Sequence, residues 1–335
     1  MTADHALVTA RLVAPGVMVS ATIGMAAAFV SETLGGPTLI YALLLGMAFY
    51  FLSHGTRAEP GIQFTSRTLL RLGVALLGAR ISVSEIIALG AVPVVIIVAS
   101  VFATIMFGRR TAGLLGMTTT QGILMGGAVA ICGASAALAL SAVLPKSVES
   151  ERDTLFTVIA VTILSTISMV VYPLLIRLIG VDHNVAGIIL GGTIHDVAQV
   201  VGAGYLISPE TGIVATYIKL LRVAMLMPVV MALAWVYRGA SAGTSALKQP
   251  LLPSFLAGFA ILVVANSLGL VPATAGETMS IVSRACLVSA IAALGMKTSL
   301  EELAKLGWRP LALIVAATVF LLVLVLIELK LARLY

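Results

Sequence analysis

Eleven long apolar runs follow one another along this chain, joined by short polar segments, and that pattern fixes the solvent in which it can fold. A helix that crosses a bilayer needs about 20 predominantly apolar residues. Runs of that order lie near 15–32, 37–52, 66–80, 84–107, 120–144, 152–178, 184–206, 212–237, 251–269, 280–296 and 308–330. Of the 335 residues, 60% are hydrophobic and only 10% are charged. A soluble domain carries about 25% charge, and no water-soluble core absorbs this much apolar surface. The runs do not alternate in polarity, which excludes a transmembrane β-barrel. The expected fold class is an all-α polytopic membrane protein with about eleven transmembrane helices. Residues 1–335 read as one integral membrane domain, with no segment polar enough to stand apart in water.

The charges say how such a chain is oriented. The net charge is +6, but the basic residues are scattered over loop positions, which is not a nucleic-acid footprint. With the N-terminus in the cytoplasm, the cytoplasmic joints hold Arg11, Arg57, Arg67, Arg109, Arg110, Arg177, Arg238, Lys248, Lys297, Lys305 and Arg309. The outer joints then hold Arg80, Lys146, Arg152, Lys330 and Arg333, so the positive-inside rule favours this orientation. The N-terminal M-T-A-D-H-A-L-V-T-A-R shows no cleavable-signal pattern, and insertion through the first helix into an inner membrane is expected. Both cysteines, Cys132 and Cys286, lie inside apolar runs, so no disulfide framework is expected.

The chain also repeats itself. Ser66 to Ala99 aligns without gaps on Ser283 to Ala316, with matched Arg67/Arg284, Gly78/Gly295, Ser82/Ser299, Glu85/Glu302, Gly90/Gly307 and Pro93/Pro310. Apolar residues align by chance, whereas matched Gly, Pro, Arg and Glu do not. Counted along the runs, the copies are an odd number of crossings apart and so have opposite orientation. The expectation is an internal inverted repeat, 66–107 with 283–324, a hallmark of secondary transporters. Ser82 with Glu85, and Ser299 with Glu302, fit capping boxes that start the second helix of each copy.

Two glycine-rich stretches interrupt the apolar pattern. Met125 to Ser135 reads M-G-G-A-V-A-I-C-G-A-S, and Gly187 to Gly204 reads G-I-I-L-G-G-T-I-H-D-V-A-Q-V-V-G-A-G. The expectation is two discontinuous helices. Gly126, Gly127 and Gly133 allow a break or a close helix approach, and Gly191-Gly192 a break followed by Thr193 as N-cap. Thr193 with Asp196 fits a further capping box. The other readings of Asp196 are a proton or cation site, or an acid that orients His195. His195 and Gln199 stand four apart, as if on one helical face, and His titrates near neutral pH. Cys132 and Ser135 are three apart; tight small-residue packing competes here with anion binding at a half-helix N-terminus. Lys219 and Arg222, one turn apart, either snorkel to the interface or face a cavity as a pair of cations.

Together, G-G-A-V-A-I-C-G-A-S-A, G-G-T-I-H-D-V-A-Q-V-V-G-A-G and Y-I-K-L-L-R-V-A-M-L-M-P resemble the YeiH-type family of bacterial inner-membrane proteins, which carries a sulfate-exporter label. The resemblance covers essentially the whole chain. It implies kinship with the bile-acid/sodium symporters and cation/proton antiporters, with inverted repeats and crossing discontinuous helices moving by an elevator or rocking mechanism. The turn A-L-L-G-A-R-I-S-V-S-E is similar to a stretch of the bile-acid symporters. The expected function is secondary export of a small anion such as sulfate, a related oxyanion or a sulfonate. The candidate site is Gly126, Gly127, Cys132, Gly133, Ser135, Gly191, Gly192, Thr193, His195, Asp196, Gln199, Lys219 and Arg222. A proton or sodium ion is the expected coupling partner, and a homodimer is among the assemblies open to the chain. The alternatives are a cation/proton antiporter of the same fold and a membrane-embedded enzyme. The chain carries no G-x-x-x-x-G-K-[ST], H-E-x-x-H or G-x-S-x-G pattern, so no enzyme, cofactor or metal is expected.

Overall fold

The computed structural model describes residues 3–34, 38–80, 84, 87, 90–145, 150–237, 254–298 and 307–334. The expected capping boxes Ser82/Glu85 and Ser299/Glu302 lie outside the described residues, as do Lys146, Arg238, Lys248 and Lys305. Of the described residues 87% are helical, and none is in a strand. In chain order the helices are α1 (Ala3–Leu34), α2 (Thr38–Ala48), α3 (Glu59–Phe64), α4 (Leu70–Leu77), α5 (Val92–Leu114), α6 (Thr119–Ala130) and α7 (Ala134–Val143). They continue as α8 (Ser150–Ile179), α9 (His183–Thr193), α10 (Val197–Ile207), α11 (Pro209–Ala224), α12 (Leu226–Val236), α13 (Ser254–Ser267), α14 (Ala273–Met296) and α15 (Trp308–Leu331). The described parts of all eleven apolar runs are mainly helical. Among the described residues six helical stretches are long and apolar enough to cross a membrane unbroken, and the other runs hold shorter helices.

The chain divides into two compact units. The first holds Met1–Ile86 and Ser254–Ser299. Its helices touch at glycines: a Cβ on Gly46 of α2 would overlap the Ala292 carbonyl of α14, and one on Gly295 would overlap the Leu43 carbonyl. Membrane helices gain no hydrophobic drive from meeting each other in lipid, so they depend on this close backbone approach. Between α3 and α4 the helix passes through a π-turn at Thr65–Leu69. Within this unit α4 and α14 run antiparallel. The Lys297 amine lies 3.4 Å from the Ser66 hydroxyl at one end, and the Ser283 hydroxyl donates to the Gly73 carbonyl at 2.7 Å further along.

The second unit holds Ile87–Pro253 and Leu300–Tyr335. Here α5 and α15 also run antiparallel: Ser100 donates to the Glu328 carboxylate at 2.6 Å, and Phe107 stacks on Phe320 with ring centroids 4.2 Å apart. Helix α5 begins and ends later than its apolar pattern suggests. Gly90 at φ 76° and Pro93 in the first turn set its start, and Gly116 at φ 67° follows its end. Arg109 and Arg110 therefore ride on the helix as exposed side chains and not in the loop after it.

The runs 120–144 and 184–206 each read as one crossing, but each folds back on itself. Gly127 of α6 abuts the Leu140 side chain of α7, 13 residues on. That contact is out of reach in a straight broken helix, which rises about 1.5 Å per residue. Gln121 near the start of α6 donates to Asp153 in the first turn of α8 at 2.9 Å, so the hairpin returns to the end from which α8 departs. The second hairpin closes at its base, where His183 at the start of α9 meets the Ser208 hydroxyl after α10 at 3.2 Å. It enters from the other end of α8, since α9 follows α8 directly. Helix α8, with 30 residues, is about 45 Å long. Helices α6 and α9, of 12 and 11 residues, reach about 16–18 Å, half of a hydrocarbon core of about 30 Å. Their tips meet beside Val161 and Ser165, at mid-length of α8.

Candidate functional site

Each hairpin tip leaves backbone groups that its own helices cannot pair. A helix ends with four carbonyls lacking an intrahelical partner, and its next helix begins with unpaired N–H groups. In lipid such groups must find protein partners. The tip of the first hairpin is Ile131-Cys132-Gly133, where Gly133 takes φ 62°, ψ −121°, a conformation costly for any residue with a Cβ. Gly133 lies against His195 and its carbonyl, on the tip of the second hairpin.

Two cations from α11 close both tips. Lys219 Nζ donates to the Ile131 carbonyl at 2.7 Å and to the Ile194 carbonyl at 3.0 Å. Arg222 uses all five of its N–H groups on backbone: Nε and Nη2 on Ala130, Nη2 also on Val129, and Nη1 on Gly191 and Ile194, at 2.8–3.2 Å. Lys219 is 0% exposed and Arg222 1%, which removes the snorkelling alternative for both. The carbonyl ends of α6 and α9 carry the negative ends of two helix dipoles, so cations belong there. Helix α11 can place them because it runs beside α9, where a Cβ on Gly191 would overlap the Ala215 carbonyl.

The glycine pairs thus serve packing. Helices α6 and α9 run unbroken through Gly126-Gly127 and Gly191-Gly192, and the chain breaks two to five residues later. A Cβ on Gly126 would stand 3.1 Å from the Thr104 carbonyl of α5, and one on Gly192 3.0 Å from Ile97. Thr193 is the last residue of α9, not an N-cap, and its hydroxyl donates to the Ile189 carbonyl at 2.6 Å. Asp196 is itself the N-cap of α10, its Oδ1 accepting from the Ala198 amide at 2.8 Å. The capping box expected from Thr193 is therefore absent.

His195 and Gln199 do not share a face, because His195 lies in the bend before α10 and Gln199 within the helix. His195 Nε2 meets the Thr318 hydroxyl of α15 at 3.0 Å. Gln199 turns to α8 instead: its Oε1 accepts from Ser165 at 2.9 Å and its Nε2 donates to Thr166 at 3.1 Å. Ser165 also accepts from the Asp196 amide at 3.0 Å, which anchors the tip to α8. Cys132 is buried beside Lys219, while Ser135 in the first turn of α7 is exposed and Asp196 half-buried. No side chain caps α7. The sequence reading missed Ser165, Thr166 and Thr318. Their signal was hydroxyls inside apolar helices, as in T-I-L-S-T-I-S of α8. It missed Glu328 too, an acid near the end of an apolar helix. No group of His, Cys, Asp and Glu suited to a metal ion occurs among the described residues.

An all-helical apolar chain in which two opposed hairpins meet tip to tip at mid-length of a 45 Å helix is a polytopic membrane protein. The chain belongs to the UPF0324 membrane-protein family. The family model described as "Conserved hypothetical protein 698" matches residues 15–314. The chain is 54% identical over 315 residues to a UPF0324 membrane protein of Chlorobaculum tepidum, covering 93% of this chain and 88% of that one. It is 51% identical over 318 residues to the UPF0324 membrane protein TauZ of Paracoccus denitrificans, covering 94% of each. A UPF0324 membrane protein of Caulobacter vibrioides is 34% identical over 321 residues, covering 95% of this chain and 69% of that protein. These matches agree with the YeiH-type resemblance carried by the motifs.

Proposed function

We propose that the protein is a secondary active transporter that exports a small anion such as sulfate, a related oxyanion or a sulfonate across the bacterial inner membrane. The observation that carries this reading is the meeting of the hairpin tips. Two cations and the N-terminal ends of α7 and α10 converge there, opposed by Asp196 and by the carbonyl ends of α6 and α9. Each helix end counts as about half a charge, so the balance is positive and suits an anion. The exposed Ser135 and the uncapped first turn of α7 supply donors for its oxygens. Antiparallel pairing of α4 with α14 and of α5 with α15 supports an inverted repeat, 66–107 with 283–324. With two runs folded as hairpins, five crossings instead of seven separate the copies; the number stays odd, and so does the inversion.

A proton is the favoured coupling ion, since His195 sits at the tip. The N-terminus lies in the cytoplasm, a homodimer is the proposed assembly, and the protein acts without enzymatic turnover or cofactor. A cation/proton antiporter is less well supported, because Asp196 Oδ1 already caps α10. The test is radiolabelled sulfate flux in proteoliposomes, with and without an imposed pH gradient, for wild type and Lys219→Met. Gradient-sensitive flux lost in the variant is expected. Absence of flux for sulfate, sulfite and methanesulfonate alike, with proton-linked sodium exchange present, would transfer the assignment to the antiporter.

A further inference from the structure

The His195 ring is fixed by hydrogen-bond bookkeeping at its Nε2 side. The Thr318 hydroxyl gives its one proton to the Ile314 carbonyl at 2.8 Å. It can only accept from His195, so Nε2 carries the ring proton and Nδ1 is a bare lone pair. That Nδ1 is buried without a hydrogen-bond partner, in a side chain 0% exposed. The backbone group that interacts with the ring is the Val129 carbonyl of the opposite hairpin, which is an acceptor as well. A buried lone pair without a donor is costly, and a proton on Nδ1 would make it a donor toward the Val129 carbonyl, which already accepts from Arg222 Nη2 at 2.8 Å. Lys219 and Arg222 of α11 bring positive charge beside that ring, both donating to the Ile194 carbonyl next to it.

We infer that His195 Nδ1 is a proton-binding site coupled to the anion: an anion beside Lys219 offsets the cationic field, Nδ1 takes a proton from solvent, and the new N–H donates to Val129. This rests on the anion-transport reading above. The other groups near the tips are few. Asp196 shares the tip with His195, Cys132 lies on the opposite tip, and Tyr172 of α8 stands near Arg222. Helices α6, α7 and α10 contribute no ionisable side chain at the tips, and α15 presents Thr318. Coupling of this kind is reciprocal: if the anion favours the proton, the proton favours the anion by the same factor.

The experiment is ¹⁵N NMR of histidine-labelled full-length protein in detergent, with calorimetric titration of potassium sulfate across a pH series. The chain has four histidines, so subtraction of a His195→Gln spectrum isolates the ring. Without sulfate, a pyrrole-type Nε2 and a pyridine-type Nδ1 are expected. Saturating sulfate at fixed pH converts the pair to imidazolium, and sulfate affinity rises up to about tenfold per pH unit lowered, the limit for one linked proton. Thr318→Val, which keeps the ring and removes its partner, releases the tautomer while sulfate still binds. It serves as a second probe should His195→Gln fail to fold. A pyridine-type Nε2 in the sulfate-free protein would overturn the inference, as would sulfate that binds with heat but leaves the ring neutral. No heat from sulfate, sulfite or methanesulfonate sinks the transport reading itself, and the coupling with it.

Discussion

Arg222→Met should open both hairpin tips at once. In the native protein Arg222 binds the carbonyls of Val129, Ala130, Gly191 and Ile194. Ile194 keeps Lys219 when the guanidinium is gone, and the other three lose their cap. A buried acceptor left unpaired costs about 1–3 kcal/mol, or about 3–9 kcal/mol for three. Removing a lone buried guanidinium returns part of its desolvation cost, so a net loss near the lower end, about 4 kcal/mol, is the working figure. At 1.4 kcal/mol per tenfold, that raises local opening about a thousandfold. Hydrogen exchange read by mass spectrometry reports such openings directly. Peptides covering 128–136 and 191–199 should lose protection together. Lys219→Met leaves only Ile131 without its partner, because Ile194 keeps Arg222, so a loss of about 1–3 kcal/mol confined to the first tip is expected. If Arg222→Met loosens one tip alone, or if Lys219→Met loosens both to the same extent, the clasp described here is wrong.

Gly191→Ala drives a methyl into the Ala215 carbonyl and should lower thermal stability by about 1–3 kcal/mol, whereas Gly258→Ala, whose nearest neighbour is Ala75 Cβ at 3.6 Å, should be neutral or slightly stabilising as a helical Gly→Ala change. Thermal unfolding in detergent separates them. Ser165→Ala strips a partner from both the Asp196 amide and Gln199 Oε1, so exchange in 194–200 should speed up by about tenfold or more while the first hairpin is unchanged. Thr119→Cys and Glu210→Cys stand exposed at the bases of opposite hairpins, and the two native cysteines are buried. A membrane-impermeant maleimide should therefore label them from opposite sides of sealed vesicles; labelling of both from one side would be incompatible with opposed hairpins.

The helices were legible in the sequence because burial in lipid demands long apolar runs, although the ends of α5 and the path of the runs 120–144 and 184–206 differ from the pattern. The two glycine-rich stretches stood out against the same background: polar residues at depth are costly, and His195, Asp196 and Gln199 break the apolar pattern. The direction of the chain through the centre was not legible. A run of 25 apolar residues from 120 to 144 has the length of one crossing whether it continues or returns. The residue that turns it is Gly133, at positive φ, and Gly126-Gly127 drew attention first by being a pair. Hydroxyls hid for a different reason. Thr162 bonds to the carbonyl one turn behind it, as hydroxyls in membrane helices commonly do, while Ser165 in the next turn reaches across to another helix. Nothing local separates the two; the difference is which neighbour the fold supplies.

The spacing of Lys219 and Arg222 gains its meaning from the same geometry. Two helices that stop at mid-depth present two sets of unpaired carbonyls to an interior without water, and a single residue cannot close both with charge to spare. Arginine has five donors in a flat fork, and here all five are used, so Arg222 has none left for a ligand. Lysine has three, of which two are used. The anion reading therefore depends unequally on the pair. On the proposed reading Arg222 supplies field while it holds the tips in place, and direct contacts with the proposed anion would fall to the remaining Lys219 donor, the Ser135 hydroxyl and the first-turn amides of α7. On this argument Arg222→Lys, which keeps the charge but has at most three donors for five bonds, should fail structurally. Lys219→Arg, with donors in excess, should keep the tips closed while changing which anions fit. Anion flux and tip exchange measured on both variants distinguish holding from binding: equal behaviour of the two would mean that charge alone, and not the donor count, governs the centre.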